Sequence, residues 1–252
     1  MAKTKNNRKK VVVVMPAYNA AKTVEKTFKD LPKNMVDEVI LVDDCSRDNT
    51  VEVARKLNIK VFEHKKNMGY GGNQKTCYKH ALASRADIVV MLHPDYQYDA
   101  ALIGEMIKPI IKGRFDVMLG SRIRTRKEAL SGGMPPIKYL LNRMTCVVEN
   151  MVLGVNLTDH FSGFRAYSKK VLNTLPYENF SDDFVFDQEL EVSAIEAGFE
   201  IGETPVPVRY FNEASSIGFV KGAKFMLETY KQLILYVLAK SGVYRTRIFL
   251  IL

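Results

Sequence analysis

The chain has 252 residues, 47% of them hydrophobic and 26% charged, and a net charge of +9. That length accommodates one large α/β domain or two small ones, and the composition is that of a soluble globular protein, not of a disordered or fibrous one. Five basic residues (Lys3, Lys5, Arg8, Lys9, Lys10) crowd a first decade without acids and leave the body at +4, an excess that suits an anionic small molecule or an anionic membrane surface more than nucleic acid, for which no motif is present.

Residues 1–10 read as a basic, disordered arm, not a signal peptide, because the apolar segment that follows is closed after five residues by Pro16. Val11 to Met15 is a buried strand, and Pro16-Ala17-Tyr18-Asn19 turns into a helix with Val24, Phe28 and Leu31 on one face. Val39 to Val42 is a second strand ending in Asp43-Asp44, and Ser46, Asp48 and Asn49 supply helix-start signals. A short strand over Lys60–Glu63 precedes a glycine-rich stretch, Asn67 to Asn73, that opens a helix running to about Ser84. Ile88 to Leu92 is a fully buried strand that stops at His93-Pro94, since proline cannot continue a central ladder. Asp99 can cap the next helix, which buries Leu102, Ile103, Met106, Ile107 and Ile110. A fifth strand over Asp116–Gly120 ends in Ser121-Arg122.

This alternation predicts a doubly wound, mainly parallel α/β sheet, Rossmann-like in its winding. Right-handed crossovers gather the strands' carboxyl ends on one edge, where open sheets bind ligands. That edge collects Tyr18, Asp43, Asp44, His93, Asp95, Ser121 and Arg122. His93, Asp95 and Gln97 offer imidazole, carboxylate and amide oxygen; such a set suits a diphosphate-bound Mg²⁺ or Mn²⁺, and equally describes a polar loop before a helix cap. His93 and His160 each sit beside an acid in a loop at a strand end, whereas His64 and His80 read as surface residues.

The pattern changes after Arg122. Residues 123–136 read as a mobile basic loop. Ile137 to Leu153 is a helix with a wide apolar face, expected to bury against the sheet, with a lipid- or partner-facing groove as the other reading. Thr158 to Arg165 is a polar turn into a strand, and Ser181 to Asp187 opens a helix that ends at Gly198. Glu203 to Arg209 is an edge strand, and Phe219 to Ala239 a long amphipathic helix. The expected organisation is an arm over 1–10, a catalytic domain over 11–212, and a C-terminal helical extension over 213–252. No run approaches 18 apolar residues. The terminal Ile-Phe-Leu-Ile-Leu, after Arg245 and Arg247, reads as an interfacial anchor or the start of a further segment. Three widely spaced cysteines, Cys45, Cys77 and Cys146, give neither a disulfide framework nor metal-ligand spacing, so a reducing cytoplasm is expected. No P-loop, dinucleotide fingerprint, serine elbow or Cys-His pair is recognisable.

Several segments together resemble the family 2 glycosyltransferases of GT-A fold, and most of all the polyprenyl (dolichyl) phosphate sugar synthases. They are Val13 to Asn19, Val39 to Thr50 with its Val-Asp-Asp-x-Ser-x-Asp-x-Thr spacing, Asn67 to Gly72, Gly120-Ser121-Arg122 and Ser162 to Tyr167. The resemblance implies a hexosyltransferase that takes a UDP- or GDP-sugar and, with inversion, delivers the sugar to a polyprenyl phosphate at the cytoplasmic face of a membrane. It implies a nucleotide pocket from Pro16, Ala17, Tyr18, Asn19, Asp43 and Asp44, extended by Gly71 and Lys75. Arg122 and Arg165 would hold phosphates, and Arg209 and Ser215 would meet the diphosphate. His93, Asp95 and Gln97 occupy the family's Asp-x-Asp-x-Gln metal motif, with His93 standing where the first Asp is usual. A sugar hydroxyl acceptor would need a base, for which Asp182, Asp183 or Asp187 is available. A lipid phosphate, with a second pKa near ~6, would not, and the basic run Arg122, Arg124, Arg126 and Lys127 favours it.

Overall fold

The computed structural model describes residues 8–123, 125–209, 219–243 and 248. Seven strands form one sheet in the order β3-β2-β1-β4-β6-β5-β7: β1 Val11–Ala17, β2 Glu38–Asp43, β3 Lys60–Glu63, β4 Ile88–Met91, β5 Val117–Ser121, β6 Arg165–Ser168 and β7 Ile201–Pro205. β1, β2, β3 and β4 are mutually parallel, and so are β5 and β7. β6 runs antiparallel between β4 and β5, so its first residue, Arg165, pairs with Met91 at the edge where the parallel strands end.

The central parallel strands β1 and β4 are apolar and buried at every position because both faces of the sheet are covered there. Val11, Val13 and Met15 pack with Val24 of α1 (Val24–Lys29), Ala54 of α2 (Thr50–Lys56) and Ile103 and Met106 of α4 (Ile103–Ile111). Val12 and Val14 face the other layer, with Cys77, Tyr78 and Ala81 of α3 (Tyr70–Ala83), Val171 and Leu172 of α7 (Lys169–Thr174), and Phe186 and Leu190 of α8 (Phe186–Glu196).

Two expectations after Arg122 are corrected. The segment 123–136 is not simply a loop: it contains α5 (Arg126–Ser131), whose N-cap Thr125 accepts from Glu128 N–H at 3.1 Å, and Ile123, Ala129 and Met134 form a small cluster. The apolar face of α6 (Pro136–Leu153) is not buried against the sheet. Ile137, Leu140, Leu141, Met144, Val147 and Met151 are exposed, Met151 by 71%, while Asn142, Thr145, Cys146 and Glu149 point inward. α9 (Phe219–Lys240) lies against α6, with Thr145 Oγ1 3.1 Å from the Tyr230 hydroxyl. It buries Leu233, Tyr236 and Ala239 against Leu153 and Val192 and exposes Val220, Leu227, Ile234 and Val237. No helix among the described residues is long and apolar enough to cross a membrane.

The glycine-rich stretch is a packing device. Gly71 N–H donates to the Asp182 carbonyl at 2.8 Å, and a Cβ at Gly71 would lie 2.3 Å from the Ser181 carbonyl oxygen and 2.7 Å from Phe186 Cβ. Gly71→Ala is therefore expected to lower stability by about 1–3 kcal/mol, the usual cost of overpacking, read as a fall in the urea midpoint.

Candidate functional site: the crevice at the carboxyl ends of the sheet

Tyr18 stands 51% exposed at the end of β1, with Pro16 and Ala17 buried in the strand behind it. Asn19, in the left-handed region at φ 53°, ties the two neighbouring strand ends together: its N–H donates to Ser46 Oγ at 2.8 Å, and its side-chain oxygen accepts from Arg47 N–H at 2.8 Å. Asp43 accepts from the amide and hydroxyl of Ser46, which closes the turn after β2. Asp44 is buried and grips the glycine-rich stretch, accepting from Met68 N–H at 2.7 Å and Gly69 N–H at 3.0 Å. His64, expected at the surface, is instead half-buried, with Nδ1 2.7 Å from Asp44 and Nε2 2.9 Å from the Thr76 hydroxyl.

After β4 the chain turns through Tyr96 at φ 62°, and Asp95 accepts from Gln97 N–H at 3.0 Å. Tyr98 bridges to Val208, and Arg209 N–H donates to the Gln97 carbonyl at 3.0 Å. That bridge carries the exposed Arg209 to the site, with its guanidinium 4.5 Å from the centre of the Tyr96 ring. His93, Asp95, Gln97 and Arg209 are thus brought together. A carboxylate, an amide oxygen and an imidazole in one short turn fit a diphosphate-bound divalent cation, which usually takes few protein ligands.

Across the crevice, Arg122 makes a two-pronged pair with buried Asp159, Nε to Oδ2 at 2.6 Å and the terminal nitrogen to Oδ1 at 2.8 Å. Burial alone would raise the Asp159 carboxyl. Arg122, helped by Asn142 of α6 at 3.1 Å, overrides this and holds it well below the usual carboxylate range. Arg122 also borders a cavity of about 470 Å³ between α5 and residues 205–208, lined by Ala129, Met134, Pro205 and Val206.

The three acids considered as bases are each engaged. Asp182 pairs with Lys75 Nζ at 2.7 Å, and Lys75 also reaches the Phe180 carbonyl, so Lys75 braces the loop before α8. Asp183 pairs with Lys224 of α9 at 2.7 Å, beside a cavity of about 290 Å³ lined by Phe184, Lys221 and Phe225. Asp187 accepts from the Tyr70 hydroxyl at 2.6 Å and Gln74 Nε2 at 2.9 Å. Ser215 lies outside the described residues.

The profile of the family described as "Glycosyl transferase family 2" matches residues 12–175. The chain belongs to that family. It is 31% identical to the UDP-N-acetylglucosamine–dolichyl-phosphate N-acetylglucosaminyltransferase of Methanococcus voltae, over 80% of this chain and 86% of that one. It is 29% identical to an uncharacterized protein of Methanocaldococcus jannaschii, over 90% and 93%. Among solved structures, the glucosyl-3-phosphoglycerate synthase of Mycobacterium tuberculosis, crystallised with Mn²⁺ and UDP-glucose, superposes with a TM-score of 0.68 at 20% identity, over 94% of this chain and 81% of that one. The fold is the expected α/β GT-A arrangement, and the protein is a glycosyltransferase.

In this glycosyltransferase, Arg165 sits beneath the crevice, not in it. It is 1% exposed, and its guanidinium donates to the Ser162 and His160 carbonyls at 2.7 Å, to the Asp187 carbonyl at 3.0 Å and to Glu191 at 3.1 Å. These partners lie in the turn before β6 and in α8, so Arg165 braces that turn against the helix.

Sequence reasoning missed Tyr70 and Glu191, whose roles need the fold to bring them near His93 and His160. The buried trio Cys146, Glu149 and His160 has metal-ligand chemistry. Its histidine is committed elsewhere. Asn150 is oriented by reciprocal bonds with Leu157, N–H to Oδ1 at 2.9 Å and Nδ2 to the carbonyl at 2.8 Å, so its oxygen faces His160 Nε2 at 3.1 Å. Glu191 faces Nδ1. Both ring nitrogens meet acceptors, which describes an imidazolium and not a ligand. Burial opposes that charge, but Glu191 outweighs it and the His160 pKa rises from 6.5 to about 9.

A histidine raised in the folded state contributes stability that is complete below pH 6.5 and is lost as pH rises through about 9. The urea midpoint should fall across that window. His160→Gln, destabilised by roughly 1–3 kcal/mol at the acid end through loss of a charged hydrogen bond, should show a flatter profile when measured at the two ends.

Proposed function

We propose that this glycosyltransferase transfers a sugar, with inversion, from a nucleotide-sugar to a polyprenyl phosphate at the cytoplasmic surface of a membrane, with Mg²⁺ or Mn²⁺ in the donor site. The observation that carries the lipid acceptor is the outward apolar face of α6 and α9. Contiguous apolar surface of this kind marks interaction with a membrane or a partner. Lys221, Lys231 and Lys240 beside the α9 face suit an anionic lipid surface. Both helices are tied to the crevice, α6 through Asn142 to the Asp159–Arg122 pair and α9 through Lys224 to Asp183. The name of the Methanococcus voltae relative, which pairs a UDP-sugar with dolichyl phosphate, favours the same donor and acceptor classes here. A free, exposed Cys45 suits the reducing side of the membrane.

In this reading Tyr18 and Asp44 flank the base, and Arg122 and Arg209 meet phosphates of acceptor and donor. His93, Asp95 and Gln97 hold the cation, which supplies neutralisation of the departing diphosphate. The acceptor phosphate is already an anion at neutral pH, so no general base is required. That agrees with Asp182, Asp183 and Asp187 all being taken up by Lys75, Lys224, Tyr70 and Gln74.

Asp95→Ala is expected to abolish Mn²⁺-dependent turnover of UDP- or GDP-sugars with polyprenyl phosphate; wild-type rates in that variant would sink the assignment. The triple variant Leu140→Glu, Met144→Glu, Ile234→Glu should bind anionic vesicles at least about tenfold more weakly, since each apolar side chain withdrawn forfeits about 1.5 kcal/mol. Its Mn²⁺-dependent binding of a soluble UDP- or GDP-sugar should stay unchanged. Undiminished co-sedimentation with vesicles would place the lipid contact elsewhere.

A further inference from the structure

His93 is the residue by which this cation site departs from the family's motif, and the surroundings of its ring fix more than its presence. The Tyr70 hydroxyl lies 2.6 Å from Asp187 Oδ2 and 3.1 Å from His93 Nε2. A hydroxyl has one proton, and a carboxylate only accepts, so that proton is committed to Asp187. Towards the imidazole the Tyr70 oxygen can then only accept. Nε2 must carry the ring hydrogen, and the lone pair stays on Nδ1.

The geometry around this chain of bonds is rigid. Gln74 Nε2 holds the other Asp187 oxygen at 2.9 Å. The Tyr70 and His93 rings stack with centroids 5.3 Å apart, and Phe184 lies against Tyr70 at 4.8 Å. On its Nε2 edge the imidazole is backed by Gly163, where a Cβ would stand 2.8 Å from Cδ2 and 2.9 Å from Nε2. Nδ1 lies on the opposite side of the ring, and no described residue hydrogen-bonds to it.

We propose that Tyr70, braced by Asp187, is a positioning residue that locks His93 in the Nε2–H form, so that Nδ1 is the nitrogen offered to the diphosphate-bound divalent cation. The inference rests on the reading of His93, Asp95 and Gln97 as the cation site. It gives Asp187 a function without making it a base, and it accounts for an aromatic residue among the glycines of the 69–72 stretch. Metal-binding histidines ordinarily donate their second N–H to an oxygen, which fixes the tautomer and raises the basicity of the ligating nitrogen. A borderline nitrogen donor in place of a carboxylate also tilts the site from Mg²⁺ towards Mn²⁺.

The test uses the full chain and two spectroscopic readouts. Nitrogen-15 NMR of histidine-labelled, metal-free protein, with His93→Ala to assign the signals, should show a single Nε2–H tautomer for His93. Tyr70→Phe, which keeps the ring and its stacking, should give a mixture of tautomers. With Mn²⁺ and UDP (and separately GDP), electron spin echo envelope modulation should show an imidazole nitrogen coupled to the ion in the wild type and none in His93→Ala. Mn²⁺ affinity in the nucleotide's presence should fall about tenfold in Tyr70→Phe and in Asp187→Asn, the loss typical for the outer partner of a ligating histidine. A predominant Nδ1–H tautomer, a Tyr70→Phe variant unchanged in tautomer and affinity, or nitrogen coupling that survives in His93→Ala would each overturn the inference. Loss of Mn²⁺ binding in Asp95→Ala but not in His93→Ala sinks it alone. Wild-type binding in Asp95→Ala sinks the cation site it rests on.

Discussion

One buried guanidinium fixes the floor of the crevice. A charge removed from water is tolerated only when its hydrogen-bonding groups find partners, and breaking such a set typically costs about 3–5 kcal/mol. Arg165 meets that condition with three carbonyls and one carboxylate drawn from the turn before β6 and from the first turns of α8. The consequences spread outward. With the carbonyls of His160 and Ser162 pinned, Asp159 faces Arg122 and Gly163 passes under His93. With the Asp187 carbonyl pinned, the side chain of that residue faces Tyr70 and Gln74. The only antiparallel strand among the described residues thus begins with the residue that organises the edge where the parallel strands end.

The acids at this edge divide into two groups. Asp43, Asp44, Asp159 and Asp187 accept amide, hydroxyl or guanidinium hydrogens from neighbouring segments and so clamp the loops together. Preorganisation of that kind lets a site meet an anion without rearranging its own dipoles. Asp95 belongs to the second group: half-buried, it accepts from Gln97 N–H within its own turn, which the Tyr98–Val208 bridge and the Arg209 N–H bond to the Gln97 carbonyl join to the segment after β7.

The sheet was legible in the sequence because continuous apolar runs such as Val11–Met15 and Ile88–Leu92 have one economical fate, and strand-end residues were legible because right-handed crossovers collect them. Arg165 was not. A charged residue at a strand start reads as a ligand contact, and only the placement of α8 reveals that carbonyls and Glu191 surround it. His64 was misread for a similar reason, since its partners Asp44 and Thr76 are distant in sequence. α6 shows a different limit. Periodicity locates an apolar stripe but does not say which side of the helix the rest of the molecule occupies.

The inversion of α6 carries a thermodynamic consequence. Helices that dock by burying leucine and methionine weaken their hold on cooling and contribute a large heat-capacity change when they detach. α6 docks through Asn142, Thr145 and Glu149 beside the apolar Cys146 and Leu153, with Gln188 Nε2 3.0 Å from the Glu149 carboxylate, whose pKa burial raises to about 7. Exposure of polar groups lowers heat capacity where exposure of apolar groups raises it. The attachment of this helix therefore responds to protons, and its polar share flattens its temperature dependence relative to a wholly apolar contact.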